Sequence, residues 1–238
     1  MQKGLPDADW TAFQIGLKPT LRMKMEPARA ERMQTQLREQ GIAAVTSHSP
    51  LRFGTQAPQT VVYVARSVAQ AEALRAAEAR TLAGIEHVEA HRQVGALLGY
   101  PACCVEAFVE RLAHEVPHAH EDWAAARAAL AATRTNPSYK LNTLLWPART
   151  LLVSFYPCRY DCDRALGYAT RLLVALARRA PAETAQLALA LAVRVIIAPD
   201  GARAILRGDE RVAVGKAPLS PSDPSQLVTV SFASPDGN

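Results

Sequence analysis

The sequence predicts an α+β fold that is predominantly helical. The middle of the chain reads as a series of helices, which proline and glycine separate from one another. Short runs of β-branched residues occur in the first third of the chain and again near its end. With 49% hydrophobic and 21% charged residues, the 238-residue chain can bury a substantial core without disulfides.

Residues 1–81 are expected to form a small α/β domain in which helices cover one face of a sheet. Its strands are predicted at residues 20–25, 42–45 and 61–65, where residues alternate or β-branched side chains cluster between turn-prone flanks. Its helices are predicted from Pro27 to just before Gly41 and over residues 67–80. The order of these elements is β-α-β-β-α.

Residues 82–192 are expected to form a helical domain that carries all four cysteines. Its helices are predicted at about residues 84–98, from Pro101 onward, and at about 121–133, 157–179 and 182–192. In two of these helices, a proline at the start is followed closely by two cysteines. Each cysteine pair is therefore predicted to lie in or near the first turn of a helix.

Residues 193–238 are expected to form a β-hairpin and a tail that pack on the rest. The hairpin joins residues 193–197 to residues 202–206 through a Pro-Asp-Gly turn. Residues 228–232 are predicted to add a strand. Three prolines and three serines make residues 216–226 an exposed connector.

Charge and hydropathy exclude two classes of partner from the prediction. The net charge of +5 comes from 27 basic against 22 acidic residues, without a basic tract and with only 6% aromatic residues, so no nucleic-acid binding is expected. No apolar run is long enough for a membrane span, and the N-terminus lacks the apolar run of a secretory signal. We therefore expect a cytoplasmic protein that does not bind membranes.

The four cysteines form two tight pairs, Cys103 with Cys104 and Cys158 with Cys162. In a cytoplasmic chain, paired cysteines indicate metal ligands or redox groups rather than structural disulfides. The unpaired N–H groups at a helix N-terminus lower the pKa of a cysteine and stabilise an anionic metal-thiolate assembly. The sequence therefore predicts that the two helix starts share one site with four thiolates.

The spacing of the cysteines favours an iron-sulfur cluster, most simply a 4Fe-4S cluster. Cys158 and Cys162 would share one face of a helix, but adjacent Cys103 and Cys104 diverge by about 100° in a regular helix. A compact zinc site usually takes C-x₂₋₄-C pairs, whereas a cluster spreads its four corners over a larger volume. A structural Cys₄ zinc site, a thiol-disulfide pair and buried unligated cysteines remain the alternatives.

With a cluster, the protein would be a redox or cluster-dependent enzyme, an oxidoreductase or a lyase. Its partner would be a small-molecule substrate or an electron-transfer protein. His91, one helix before the first cysteine pair, and Asp161, between the second pair, are the candidate proton carriers. His87 and His91 also have the i, i+4 spacing that can chelate a metal. With zinc, the protein would instead serve as an interaction module.

Two blocks of this sequence resemble a motif pair of an uncharacterised prokaryotic family. They are Gly-Tyr-Pro-x-Cys-Cys, which begins at Gly99, and Pro-Cys-x-x-x-Cys, which begins at Pro157. The resemblance covers residues 95–168. It implies that the four cysteines act together, and it implies no reaction.

Overall fold

The structure, a computed structural model, describes residues 7–48, 58–114, 121–198, 203–207, 210–214 and 227–232. It confirms the α+β class: these ranges hold eight α-helices and two small antiparallel sheets. By their contacts the residues divide into two compact units, one of residues 12–113 and one of residues 1–11 with 114–238. The predicted three-part division, with boundaries at residues 81 and 192, stays a prediction.

The unit of residues 12–113 contains a three-stranded antiparallel sheet of order β1-β3-β2. The strands are β1 (Thr20–Met25), β2 (Ala43–Thr46) and β3 (Thr60–Ala65), each within one residue of its predicted range. Every residue of β3 is buried because it is the central strand and helices pack against it. Those helices are α2 (Pro27–Glu39) and α3 (Val68–Ala83). A short helix that the sequence analysis did not predict, α1 (Ala8–Gln14), precedes the sheet.

Helix α4 (His87–Leu97) packs against α3 and begins three residues later than predicted. Gly84, the predicted start, instead ends α3 in the left-handed conformation with φ of 67°. Glu86 also has a positive φ, of 46°, so the helical path resumes only at His87. Helix α5 (Ala102–His114) follows α4. The two helices approach closely at Gly95, where an added Cβ would lie 2.7 Å from a methyl carbon of Val105.

The unit that includes residues 114–238 is helical and ends in a four-stranded antiparallel sheet. Its helices are α6 (Glu121–Ala132), α7 (Asp163–Arg179) and α8 (Pro181–Leu191), with short 3-10 turns at Tyr139–Leu141 and Trp146–Ala148. The strands are β4 (Arg194–Ile197), β5 (Arg203–Arg207), β6 (Glu210–Ala213) and β7 (Val228–Ser231), in the order β6-β5-β4-β7. Helix α7 buries one stripe, which includes Tyr168, Leu172 and Leu176.

The C-terminal sheet confirms the predicted hairpin of β4 and β5 and the predicted strand β7. Strand β6 was missed because its sequence, Glu-Arg-Val-Ala, has a single β-branched residue. The predicted Asp-Gly turn and the predicted connector at residues 216–226 lie outside the described residues. Among the helices that the structure describes, none is both long and apolar enough to cross a bilayer.

Candidate metal centre

The first cysteine pair lies in the first turn of α5, as predicted. The carbonyl oxygen of Pro101 accepts hydrogen bonds from the peptide N–H groups of Cys104 (2.8 Å) and Val105 (3.0 Å). Proline suits this place because its missing N–H would have no intrahelical partner there. Cys103 is half-buried and Cys104 is buried.

The turn that leads from α4 into α5 depends on Gly99. Its φ is +72°, and an added Cβ would lie 2.6 Å from both the carbonyl oxygen of Leu17 and Cδ of Pro19. The left-handed conformation favours glycine, and the close backbone excludes any larger residue. Gly99 therefore lets the segment around Lys18 approach the entry to the first cysteine turn.

We expect Gly99→Ala to lower the free energy of unfolding by about 3 kcal/mol, because left-handed strain and a backbone clash act together. Gly84→Ala is the matched control, since Gly84 has a similar φ of +67° but nothing within 4 Å of an added Cβ. The control should cost about 1 kcal/mol. Urea unfolding of the two variants measures both values, and equal losses would contradict the role given to the clash.

The second cysteine pair does not lie on a helix, and this part of the prediction was wrong. Helix α7 begins at Asp163 rather than at Pro157, so Cys162 is the residue that precedes the helix and Cys158 lies in a turn before it. The peptide N–H of Cys162 donates to the carbonyl oxygen of Arg159 at 3.3 Å. The two thiols are therefore not i, i+4 neighbours on a helix face.

Long-range hydrogen bonds explain why residues 158–162 form a turn. The peptide N–H of Tyr160 donates to Oγ1 of Thr133 (3.0 Å), and its carbonyl oxygen accepts from the N–H of Ser138 (3.0 Å). The Tyr160 hydroxyl is fully buried against the hydroxyl of Thr143, 3.0 Å away. These hydrogen bonds engage the N–H and the carbonyl oxygen of Tyr160, so neither group is available for the hydrogen bonds of a helix. Sequence reasoning missed Thr133 because nothing local links it to the cysteines.

Asp161 anchors the same turn through its carboxylate. One of its oxygens, Oδ2, accepts the peptide N–H groups of Arg134 (2.9 Å) and Thr135 (3.0 Å) and the Thr135 hydroxyl (3.1 Å). Burial by itself raises the pKa of this carboxyl, but these bonds and the Arg159 guanidinium, 3.3 Å away, outweigh burial and leave the pKa below its usual range. The carboxylate is thus ionised and occupied by structural partners.

The Sγ atoms of all four cysteines lie within 4.8 Å of one another. Those of Cys103 and Cys104 are 4.0 Å apart, so the adjacent pair can face one centre from a helix start. None of these four cysteines forms a disulfide. The group can therefore hold a metal ion with four sulfur ligands.

His91, the other predicted proton carrier, lies against His87 and Phe108. Its Nε2 is 3.2 Å from Nε2 of His87, and its ring centroid is 5.6 Å from that of Phe108. Burial, followed by His87 and Arg22, lowers the pKa of His91 to about 4, against a smaller upward effect of Glu78. The imidazole is neutral at pH 7. The catalytic roles of His91 and Asp161 stay predictions.

Comparison with models of protein families finds a similarity over the part of the chain that carries the site. A family model described as "Protein of unknown function (DUF483)" matches residues 72–182. This stretch contains all four cysteines, His91 and Asp161. No curated protein and no solved structure matches the chain. The chain is thus similar to an uncharacterised family over the part that carries the site, and the match gives no reaction.

Proposed function

We propose that Cys103, Cys104, Cys158 and Cys162 bind a single zinc ion in a structural site. The observation that carries the proposal is the mutual spacing of the sulfurs, all within 4.8 Å. A tetrahedral zinc ion with Zn–S bonds of about 2.3 Å separates its sulfur ligands by about 3.8 Å. The 4.0 Å between the sulfurs of Cys103 and Cys104 is close to that value.

The N-terminal ends of two helices lie next to cysteines of the site, where their partial positive charge can balance negative charge on the sulfurs. Four thiolates around one divalent cation leave two net negative charges, which need nearby positive partners. Cys103 is in the first turn of α5, and Cys162 directly precedes α7. The N-terminal ends of these helices carry partial positive charge, which offsets part of the negative charge of such a site.

Four protein ligands leave no open position on a tetrahedral zinc ion, so the proposed role is to stabilise the fold rather than to bind a substrate. The metal would join two chain segments more than fifty residues apart in the sequence. In this proposal the protein acts through its surface, as an interaction module. Asp161 then holds the second cysteine turn in place instead of carrying protons.

A 4Fe-4S cluster is the second candidate, favoured by the adjacent Cys103 and Cys104, a spacing that zinc sites rarely use. With it, the protein would be a redox or cluster-dependent enzyme that acts on a small metabolite. However, each cysteine of a cubane binds a different iron, which spreads the sulfurs to about 6 Å or more. The 4.8 Å limit is smaller, and we therefore rank zinc first.

Metal and acid-labile sulfide analysis tests the proposal on protein purified without oxygen. We expect a colourless protein with about one zinc per chain and no sulfide. A brown protein that contains iron and sulfide in equal amounts would show that the cysteines bind the cluster and not zinc. A metal-free protein with normal thermal stability would contradict both metal sites and leave the thiols as a redox pair or as inert core residues.

A further inference from the structure

Helix α4 carries a second group of side chains that can bind a metal, and this group consists of histidines instead of cysteines. His87 and His91 are four residues apart, so both imidazoles are on one face of the helix. Their Nε2 atoms are 3.2 Å apart, and their rings meet edge to face with centroids 4.5 Å apart. The two possible ligand atoms thus lie side by side on α4, within hydrogen-bond distance of each other.

We propose that His87 and His91 form a second metal-binding site, which takes a divalent transition metal ion of the kind that imidazole prefers. Two nitrogens bound tetrahedrally at about 2.0–2.1 Å from one ion are separated by about 3.3 Å. The observed separation of 3.2 Å is close to that value, so the rings need to turn toward an ion but not to move apart. Phe108 packs against His91 and limits its rotation, so part of the ordering cost of binding is already met.

The neighbouring charges indicate an exchangeable site with two protein ligands. The nearest acidic residues in the sequence are engaged elsewhere: Glu86 pairs with Arg80 at 2.9 Å, and Glu89 pairs with Arg92. Within the described ranges, the cysteine group is the one set of three or more metal-ligating residues. Water or a small-molecule ligand must therefore complete the coordination of an ion held by the histidines. Such an open site binds its metal reversibly, unlike a closed four-thiolate site.

Isothermal titration of Ni²⁺ into the full chain, loaded beforehand with one equivalent of zinc for the four thiols, tests this site. We expect His87→Gln to weaken Ni²⁺ binding by about tenfold or more, because the second imidazole of a chelate binds in an intramolecular step. His48→Gln is the matched control, since His48 is an exposed histidine outside α4, and it should leave the affinity unchanged.

His91→Gln should give the same loss, with circular dichroism used to verify that the helical content is retained. The comparison between variants does not depend on what the cysteines hold, because every variant keeps all four. Equal affinity in the wild type and His87→Gln would overturn the proposal. So would a wild type that binds no Ni²⁺, which would leave the two rings as a hydrogen-bonded pair only.

Discussion

If the four cysteines bind zinc as proposed, replacing Cys162 with serine is expected to release the metal and to lower the melting temperature by about 10 °C. A ligand present at a thousand times its Kd stabilises the folded state by about 4 kcal/mol, and a chain of this size loses about 2–4 °C per kcal/mol. Serine is a weak zinc ligand but a good residue at the position before a helix. The hydroxyl can cap α7, where the present side chain makes no capping hydrogen bond. A loss of stability would therefore result from the loss of the metal and not from damage to the helix.

A chelator provides the control for this variant. In the wild type, removal of the metal should reduce the melting temperature to that of Cys162→Ser, whereas the variant should not respond to the chelator. Scanning calorimetry with metal analysis of the same samples measures both effects. A Cys162→Ser protein that still holds one metal ion per chain would exclude Cys162 from the ligand set.

Asp161→Ala is expected to lower the free energy of unfolding by about 2–3 kcal/mol at pH 7. The substitution removes an ionised acceptor of three hydrogen bonds, which leaves the peptide N–H groups of Arg134 and Thr135 without their partner. Asp161→Asn keeps an acceptor oxygen but not the charge, so we expect it to fall between the wild type and the alanine variant. Urea unfolding at pH 7 measures the series.

The effect of Asp161 should depend on pH in a definite direction. Its pKa is lower in the folded protein than the usual value near 4, so the stability it contributes is present above about pH 4. That contribution is lost as the pH falls through the folded-state pKa, because protonation removes the charge-assisted bonds. The difference between the wild type and Asp161→Ala should therefore be constant near neutrality and shrink in acid.

Asp163→Ala is the matched control for Asp161, two residues away. Asp163 is exposed in the first turn of α7, so its loss should cost about 0.5 kcal/mol through the helix dipole. If Asp161→Ala is no more destabilising than Asp163→Ala, the carboxylate does not anchor the turn. The proton-carrier role would then become the better account of Asp161.

The fold class and most helix and strand positions follow from local patterns in the sequence. Pro101 marks the start of α5 because proline fixes φ and has no N–H to lose, and β3 stands out as a run of β-branched residues. The start of α7 does not follow from such a pattern. Pro157 suggests an earlier start, but the backbone of Tyr160 bonds to Thr133 and Ser138, over twenty residues away.

By itself the sequence determined that the four cysteines form two close pairs, each preceded by a proline, because these are relations between residues that are neighbours in the chain. Only the tertiary structure decided how far apart the sulfurs of Cys103, Cys104, Cys158 and Cys162 are. Spacing along the chain favoured the larger iron-sulfur cluster, whereas our proposal of a single ion depends on the spacing of the sulfurs in the structure. Sulfur-to-sulfur distances depend on long-range packing and hydrogen bonds, which residue spacing does not encode.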